Sequence, residues 1–175
     1  MRIHIPAVVH TRPTAAYSHC AFTTKARLLP KLLRLAYPDA QIFWYGVGWD
    51  RPDGADAAVP VLTDEAWAAH FGLRTAFVGD HAHVEHPGYV AFNAALRERW
   101  AAIAPGDLVC FPFGHAHQGA AEVALARGGV CVETGIGYPT PFLPFRIYES
   151  TAWLHYCAGK TGCEGSDYHF VAPAS

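Results

Sequence analysis

Charge is scarce in this chain: 16% of its 175 residues are Asp, Glu, Lys or Arg, and neither sign dominates, with 13 Lys and Arg against 15 Asp and Glu. The formal net charge of −2 removes the global positive field that would draw a protein to nucleic acid or acidic lipid, leaving only a local groove for such a role. Arg2, Arg12, Lys25, Arg27, Lys31 and Arg34 do concentrate near the start. No run approaches the roughly 18 apolar residues of a membrane span, and Arg2-Ile3-His4-Ile5 is too short and polar to open a signal peptide, so a cytoplasmic location is expected. The five cysteines are an odd number, and Cys110 and Cys131 lie inside apolar runs, which argues against a disulfide framework. Cys157 and Cys163 are close enough in sequence to pair, but a reducing compartment argues against it. No repeat or low-complexity tract occurs. With 51% hydrophobic residues, the chain is expected to form a single domain over 1–175 with a sizeable core.

Several catalytic signatures are also missing. The turn His10 to Thr14 follows the first strand, where dinucleotide-binding folds keep their phosphate loop, yet it has none of the glycines of G-x-G-x-x-G and fits the Walker pattern no better. No serine sits in a nucleophile elbow, and no cysteine has an electropositive setting, so covalent catalysis has little support. Histidine, by contrast, is plentiful at eleven residues. His81, His83 and His86, with Asp80 or Glu85, could share a metal in a metal-dependent hydrolase, although no pair spaced four apart on a helix is evident.

The pattern of apolar residues predicts alternating strands and helices. Strands are expected at Arg2 to Val9, Gln41 to Tyr45, Val59 to Leu62, Thr75 to Val78, Asp107 to Phe113, Gly129 to Glu133 and Tyr168 to Ala172. A helix capped by Ser18 would bury Phe22, Ala26, Leu29, Leu32 and Leu33, with a kink or break at Pro30. Thr63, Asp64 and Glu65 start a short helix ending near Gly72, and Tyr89, Phe92, Leu96, Trp100 and Ile103 mark one buried helical face. Further helices are expected at Ala116 to Arg127, stopped by Gly128 and Gly129, and at Phe145 to Tyr156. Apolar strands alternating with helices imply a three-layer α/β sandwich, its mostly parallel Rossmann-like sheet covered by helices on both faces.

Two junctions carry candidate chemistry. Val132-Glu133-Thr134-Gly135-Ile136-Gly137-Tyr138 places a carboxylate, two glycines and an aromatic where a strand is expected to open onto a helix, which is where parallel α/β folds bind ligands. The plain alternative is a tight connection with Glu133 solvated. His115 and His117 follow Phe113-Gly114 at another strand end, where an imidazole either caps the next helix or orients a hydroxyl and takes its proton. Arg146 and Glu149, three apart on the expected helix, would share one face as an ion pair, with Ser150 beside them.

These blocks, together with Tyr17-Ser18-His19-Cys20-Ala21-Phe22-Thr23, Gly79-Asp80 with His83, Phe113-Gly114-x-x-His117 and Tyr148-Glu149-Ser150, resemble the N-terminal half of phage-associated and bacterial two-domain glycosyltransferases of GT-B architecture. The resemblance runs along essentially the whole chain and is most specific in Glu-x-Gly-Ile-Gly-Tyr and Glu-Ser; Arg-Ile-Tyr-Glu-Ser departs from the many relatives that carry Phe before the Glu. It implies an acceptor-binding Rossmann-like domain facing a donor-binding domain, supplied in cis or in trans, that holds a nucleotide sugar such as a UDP-sugar. The hydroxyl acceptor would be a modified DNA base or a glycan. No cofactor and no metal are implied, because helix dipoles and basic residues stabilise the leaving diphosphate. Carried onto this sequence, the catalytic positions are His10, His115, His117 and Glu133. Those shaping the substrate site are Thr11, Thr14, Tyr17, Ser18, Gly114, Gly135, Ile136, Gly137, Tyr138, Arg146, Glu149 and Ser150. An open cleft would leave Tyr138 or Phe142 exposed and favour weak homo-oligomers. The competing class is a noncatalytic ligand-binding or assembly domain.

Overall fold

A computed structural model describes residues 1–73, 75–76, 84–161 and 168–172. Seven strands among them form one sheet in the order β3-β2-β1-β4-β5-β6-β7, every neighbouring pair parallel. They are β1 (Arg2–Pro6), β2 (Gln41–Val47), β3 (Ala57–Leu62), β4 (Leu108–Phe111), β5 (Val130–Ile136), β6 (Phe145–Tyr148) and β7 (His169–Val171). The helices are α1 (Ala21–Ala36), α2 (Asp64–Phe71), α3 (Pro87–Arg99), α4 (Gln118–Ala126) and α5 (Thr151–Thr161). The chain is thus a Rossmann-like α/β sandwich.

Alternation along the strands separates the two layers of helices. Trp44 points to the α1 side, beside Thr23 and Ala26, whereas Tyr45 points the other way and meets Trp100 edge-on just beyond α3. Phe111 lies on that second side and also packs against Trp100. Tyr89, Phe92, Leu96, Trp100 and Ile103 are all buried, but the helical face expected of all five holds only the first three, because α3 ends at Arg99, Trp100 to Ala102 form a 3₁₀ turn and Ile103 is extended. A right-handed crossover puts α1 opposite α3 and α4 because the strand order reverses between β1 and β4. Ligands of such sheets sit at that reversal, beyond the carboxyl ends of the strands.

Several local expectations give way to tertiary packing. α1 runs unbroken through Pro30, which is buried; the Arg51–Ala55 loop packs so closely on it that a Cβ on Gly54 would lie 2.9 Å from the Pro30 carbonyl carbon. That packing offsets a helix-interior proline cost of about 3 kcal/mol. Cys20, not Ser18, precedes the helix, after a 3₁₀ turn at Ala15–Tyr17, and Leu32 is 61% exposed rather than on the buried face. β1 ends at Pro6, and β4 ends at Phe111. Thr75 and Ala76 lie in a bend, and the rest of the strand expected at Thr75 to Val78 falls outside the described residues.

The largest correction concerns Phe145 to Tyr156. The first four of these residues form β6, and only from Thr151 is the chain helical. Four apolar or amphipathic residues suit either state, and pairing with β5 decides for the strand. Ser150 then starts α5 by accepting from the Trp153 amide at 3.3 Å. Arg146 and Glu149 therefore do not share a helical face.

At the amino ends of the strands a buried polar cluster crosses the sheet. Asp107 accepts from Arg2 Nη2 at 2.6 Å and from the Ala104 amide at 2.8 Å, and it meets His4 Nε2 at 3.2 Å; His4 Nδ1 meets the Tyr45 hydroxyl at 2.8 Å. Burial acts to raise the Asp107 pKa, but Arg2, the Ala104 amide and His4 together hold it below its ordinary value. Asp107→Ala would strand the Ala104 amide and a buried imidazole, so a loss of about 2 kcal/mol is expected in urea unfolding.

Candidate functional site

The loops that follow β1, β4, β5 and β6 gather most of the residues singled out in the sequence at the carboxyl edge of the sheet. β1 gives way at Ala7 to a compact turn in which Thr11 Oγ1 donates to the Val8 carbonyl at 3.0 Å and meets Thr23 Oγ1 at 2.5 Å. The same turn buries His10, whose Nδ1 meets the Tyr89 hydroxyl at 2.6 Å and whose Nε2 lies 3.6 Å from Cys20 Sγ. Tyr17 is buried beside this turn, while Thr14 and Ser18 are exposed.

After β4, Gly114–His117 form a 3₁₀ turn leading directly into α4. His117 is fully buried: Nδ1 faces Asn93 Oδ1 at 2.7 Å, and Nε2 faces the Ala7 carbonyl at 3.1 Å. Asn93 donates its amide nitrogen to the Ala116 carbonyl, which turns its oxygen toward the ring. A neutral imidazole has one N–H for these two oxygens; protonation would supply both, yet burial opposes the charge and pushes the pKa down to about 4. His115 differs. It is half-buried, Nδ1 meets the exposed Thr140 hydroxyl at 2.9 Å, and partial burial lowers its pKa.

β5 does not stop at Glu133. It continues to Ile136, with its register to β6 shifting between these residues and Gly135 at φ +63°, so the glycine-rich segment leads from one strand to the next and not into a helix. Glu133 is completely buried and has both oxygens occupied: Oε1 accepts from the Tyr138 hydroxyl at 2.8 Å, and Oε2 accepts from the Phe142 and Leu143 amides at 2.7 and 2.8 Å. Burial raises the Glu133 pKa against the pull of these donors. Tyr138 in turn accepts from the Gly114 amide at 3.1 Å, tying the β4 and β5 loops together. It is 4% exposed, and Phe142 packs on the core, so neither is the bare aromatic expected of an open cleft.

Close approach explains one glycine here. A Cβ on Gly114 would sit 2.5 Å from Glu133 Cγ, a side chain held by three hydrogen bonds. Gly114→Ala should therefore destabilise by about 2 kcal/mol, read as a lowered midpoint in urea with an unchanged slope.

On the α1 side, Lys25 reaches across to donate to the Gly135 carbonyl at 2.7 Å and to Glu149 at 2.6 Å, with its ammonium 4.4 Å from the Phe22 ring centroid. Arg146 donates Nε to the Leu143 carbonyl at 2.5 Å. Glu149 and Arg146 thus brace the Gly137–Pro144 loop from two sides. Asn93 and Thr140 were not singled out by sequence, and Lys25 only as one of the basic residues near the start; no spacing links the three to their partners, which lie 24, 25 and 110 or more positions away.

Of the proposed metal-binding group, Asp80, His81 and His83 lie outside the described residues, and His86 caps α3 by accepting from the Gly88 amide. Among the described residues no three His, Cys, Asp or Glu side chains are grouped to hold a metal, and no helix is long and apolar enough to cross a membrane. Cys20, Cys110, Cys131 and Cys157 are free and buried, while Cys163 lies outside the described residues. Comparison of the chain with protein-family models, with curated proteins and with solved structures gives no match.

Proposed function

We propose that the carboxyl-edge loops bind a hydroxyl-bearing acceptor and that the chain serves as the acceptor-side domain of a GT-B-type glycosyltransferase. The observation that supports this best is His115. It lies on the loop after β4, next to the reversal of strand order, and combines partial exposure with a lowered pKa and a hydrogen-bonded partner, Thr140. When Nδ1 donates to Thr140, Nε2 keeps its lone pair for an incoming hydroxyl. In transfer, Nε2 takes the hydroxyl proton, the oxygen bonds to the anomeric carbon, and the nucleoside diphosphate leaves with the electrons of the broken bond. A UDP-sugar on a separate donor-binding domain, in cis or in trans, completes the reading.

Glu133, His10 and His117 take a supporting part in this scheme: their polar atoms face groups of the fold itself, and they hold the loops on which His115 and Thr140 sit. That saturation also favours the second reading, a binding domain without chemistry of its own. The two are separated by His115→Ala, tested with a donor domain, a UDP-sugar, and either oligosaccharides or duplex DNA carrying hydroxymethylated pyrimidines. Transfer should fall about 100-fold while acceptor binding persists. Undiminished transfer by the variant would overturn the role of His115, and binding without any transfer would favour the noncatalytic reading. With DNA as acceptor, affinity should drop steeply with salt.

A further inference from the structure

A second feature lies where α1 meets the chain leaving β2. A cavity of about 160 Å³ is lined by Arg27, Leu28 and Lys31 of α1, by Arg51, Pro52 and Asp53, and by Pro13. Three cations face it against one carboxylate, in a chain whose overall charge is −2. We propose that this basin is an anion site for a phosphate monoester or diphosphate group. The inference does not depend on the glycosyltransferase reading.

Size, charge and geometry agree on the ligand. The volume is below the roughly 300 Å³ at which pockets for whole drug-sized molecules begin, and it equals the share of about five waters, which suits a phosphate group and not an entire nucleotide. Arg27 makes no hydrogen bond or salt bridge with any described residue, although its charge acts on Asp53. Arg51 donates one terminal nitrogen to the Ala55 carbonyl, which orients the guanidinium and leaves its other N–H groups for an oxyanion. Lys31 is paired with Asp53 at 2.9 Å, and both are largely exposed, so this pair can open when a stronger anion arrives. The nearby Arg12 and Arg34 are already committed, to Asp50 with Asp64 and to Asp56 respectively. Its lining draws on the segments that follow β1 and β2 in the chain, with Pro13 from the first and Arg51, Pro52 and Asp53 from the second.

The full chain titrated with inorganic phosphate and with pyrophosphate, followed by amide chemical shifts, should show saturable binding centred on Arg27, Lys31 and Arg51. Arg27→Gln and Arg51→Gln should each weaken it roughly tenfold. Arg27 has no hydrogen-bond or ion-pair partner to lose among the described residues, so its variant remains folded and informative. Asp53→Asn should tighten binding several-fold, because it removes the carboxylate that competes for Lys31. Co-sedimentation with phosphatidylcholine vesicles, with and without phosphatidic acid, identifies the source. Pull-down that needs phosphatidic acid and Arg27 points to a membrane-borne phosphate, and binding of free phosphate alone points to a soluble ligand. Absence of saturable binding in both arms, insensitivity to Arg27→Gln, or weaker binding by Asp53→Asn would overturn the proposal.

Discussion

Glu133→Ala should cost about 4 kcal/mol of unfolding free energy. The substitution removes the acceptor for three donors at once, the Tyr138 hydroxyl and the Phe142 and Leu143 amides, in a place with no exposed surface. Each buried donor left without a partner costs about 1–3 kcal/mol, and the vacated volume adds to the loss. Glu133→Gln keeps the shape but turns one acceptor oxygen into a donor, so about 2 kcal/mol is expected. Urea unfolding of both variants measures these values. Hydrogen exchange at Phe142 and Leu143 should accelerate in the same order. A loss under 1 kcal/mol for Glu133→Ala would mean that the loop is held by something other than this carboxylate.

Acid should weaken the fold through His117. Its pKa moves from an ordinary 6.5 to about 4 because the buried site disfavours the imidazolium. Since the folded value is depressed, the unfolded chain takes up the proton first. The stability tied to the neutral ring is complete above pH 6.5 and is lost progressively as pH falls to about 4. At about 1.4 kcal/mol for each pH unit between those values, this residue accounts for about 3 kcal/mol over that window. The difference between stability–pH curves of the native chain and His117→Gln isolates the contribution from that of the carboxylates. An NMR titration midpoint for His117 near 6.5 would show that the Asn93 and Ala7 oxygens stabilise the charged ring enough to cancel its burial.

Particular elements show how far local pattern reaches. Tyr89, Phe92 and Leu96 recur at helical spacing because α3 has one buried face, and this repetition is a property of the sequence itself. Thr63 marks the start of α2 for a reason equally local, since its hydroxyl accepts the Ala66 amide three residues on. Phe145 to Tyr148 offered no such internal reason. Four residues can be a strand only if another strand is beside them, and the partner that decided it, β5, lies more than ten positions earlier in the chain. Pro30 is similar, for its local cost was visible and the packing that offsets it was not. At the candidate site, the spacing around Glu133 suggested a strand that stops there and opens onto a helix, whereas β5 continues to Ile136 and leads to another strand. Whether the carboxylate faced solvent or three internal donors depended on how the Gly137–Pro144 loop folds back over it.

What the sequence determined by itself was the alternation of strands and helices, and with it a parallel sheet between two helical layers. Hydrophobic period and end-capping act between residues a few positions apart, so they are written into the chain directly. The strand order, and therefore which loops meet at the carboxyl edge, came only from the tertiary structure, because it depends on pairings such as β1 with β4, about a hundred residues apart. The same holds for the division of the histidines into buried His10 and His117 and accessible His115, and for the basin that brings Arg27 and Lys31 to Arg51. Burial and charge clustering belong to surfaces made by distant segments, and those surfaces exist only once the sheet has closed the distance between them.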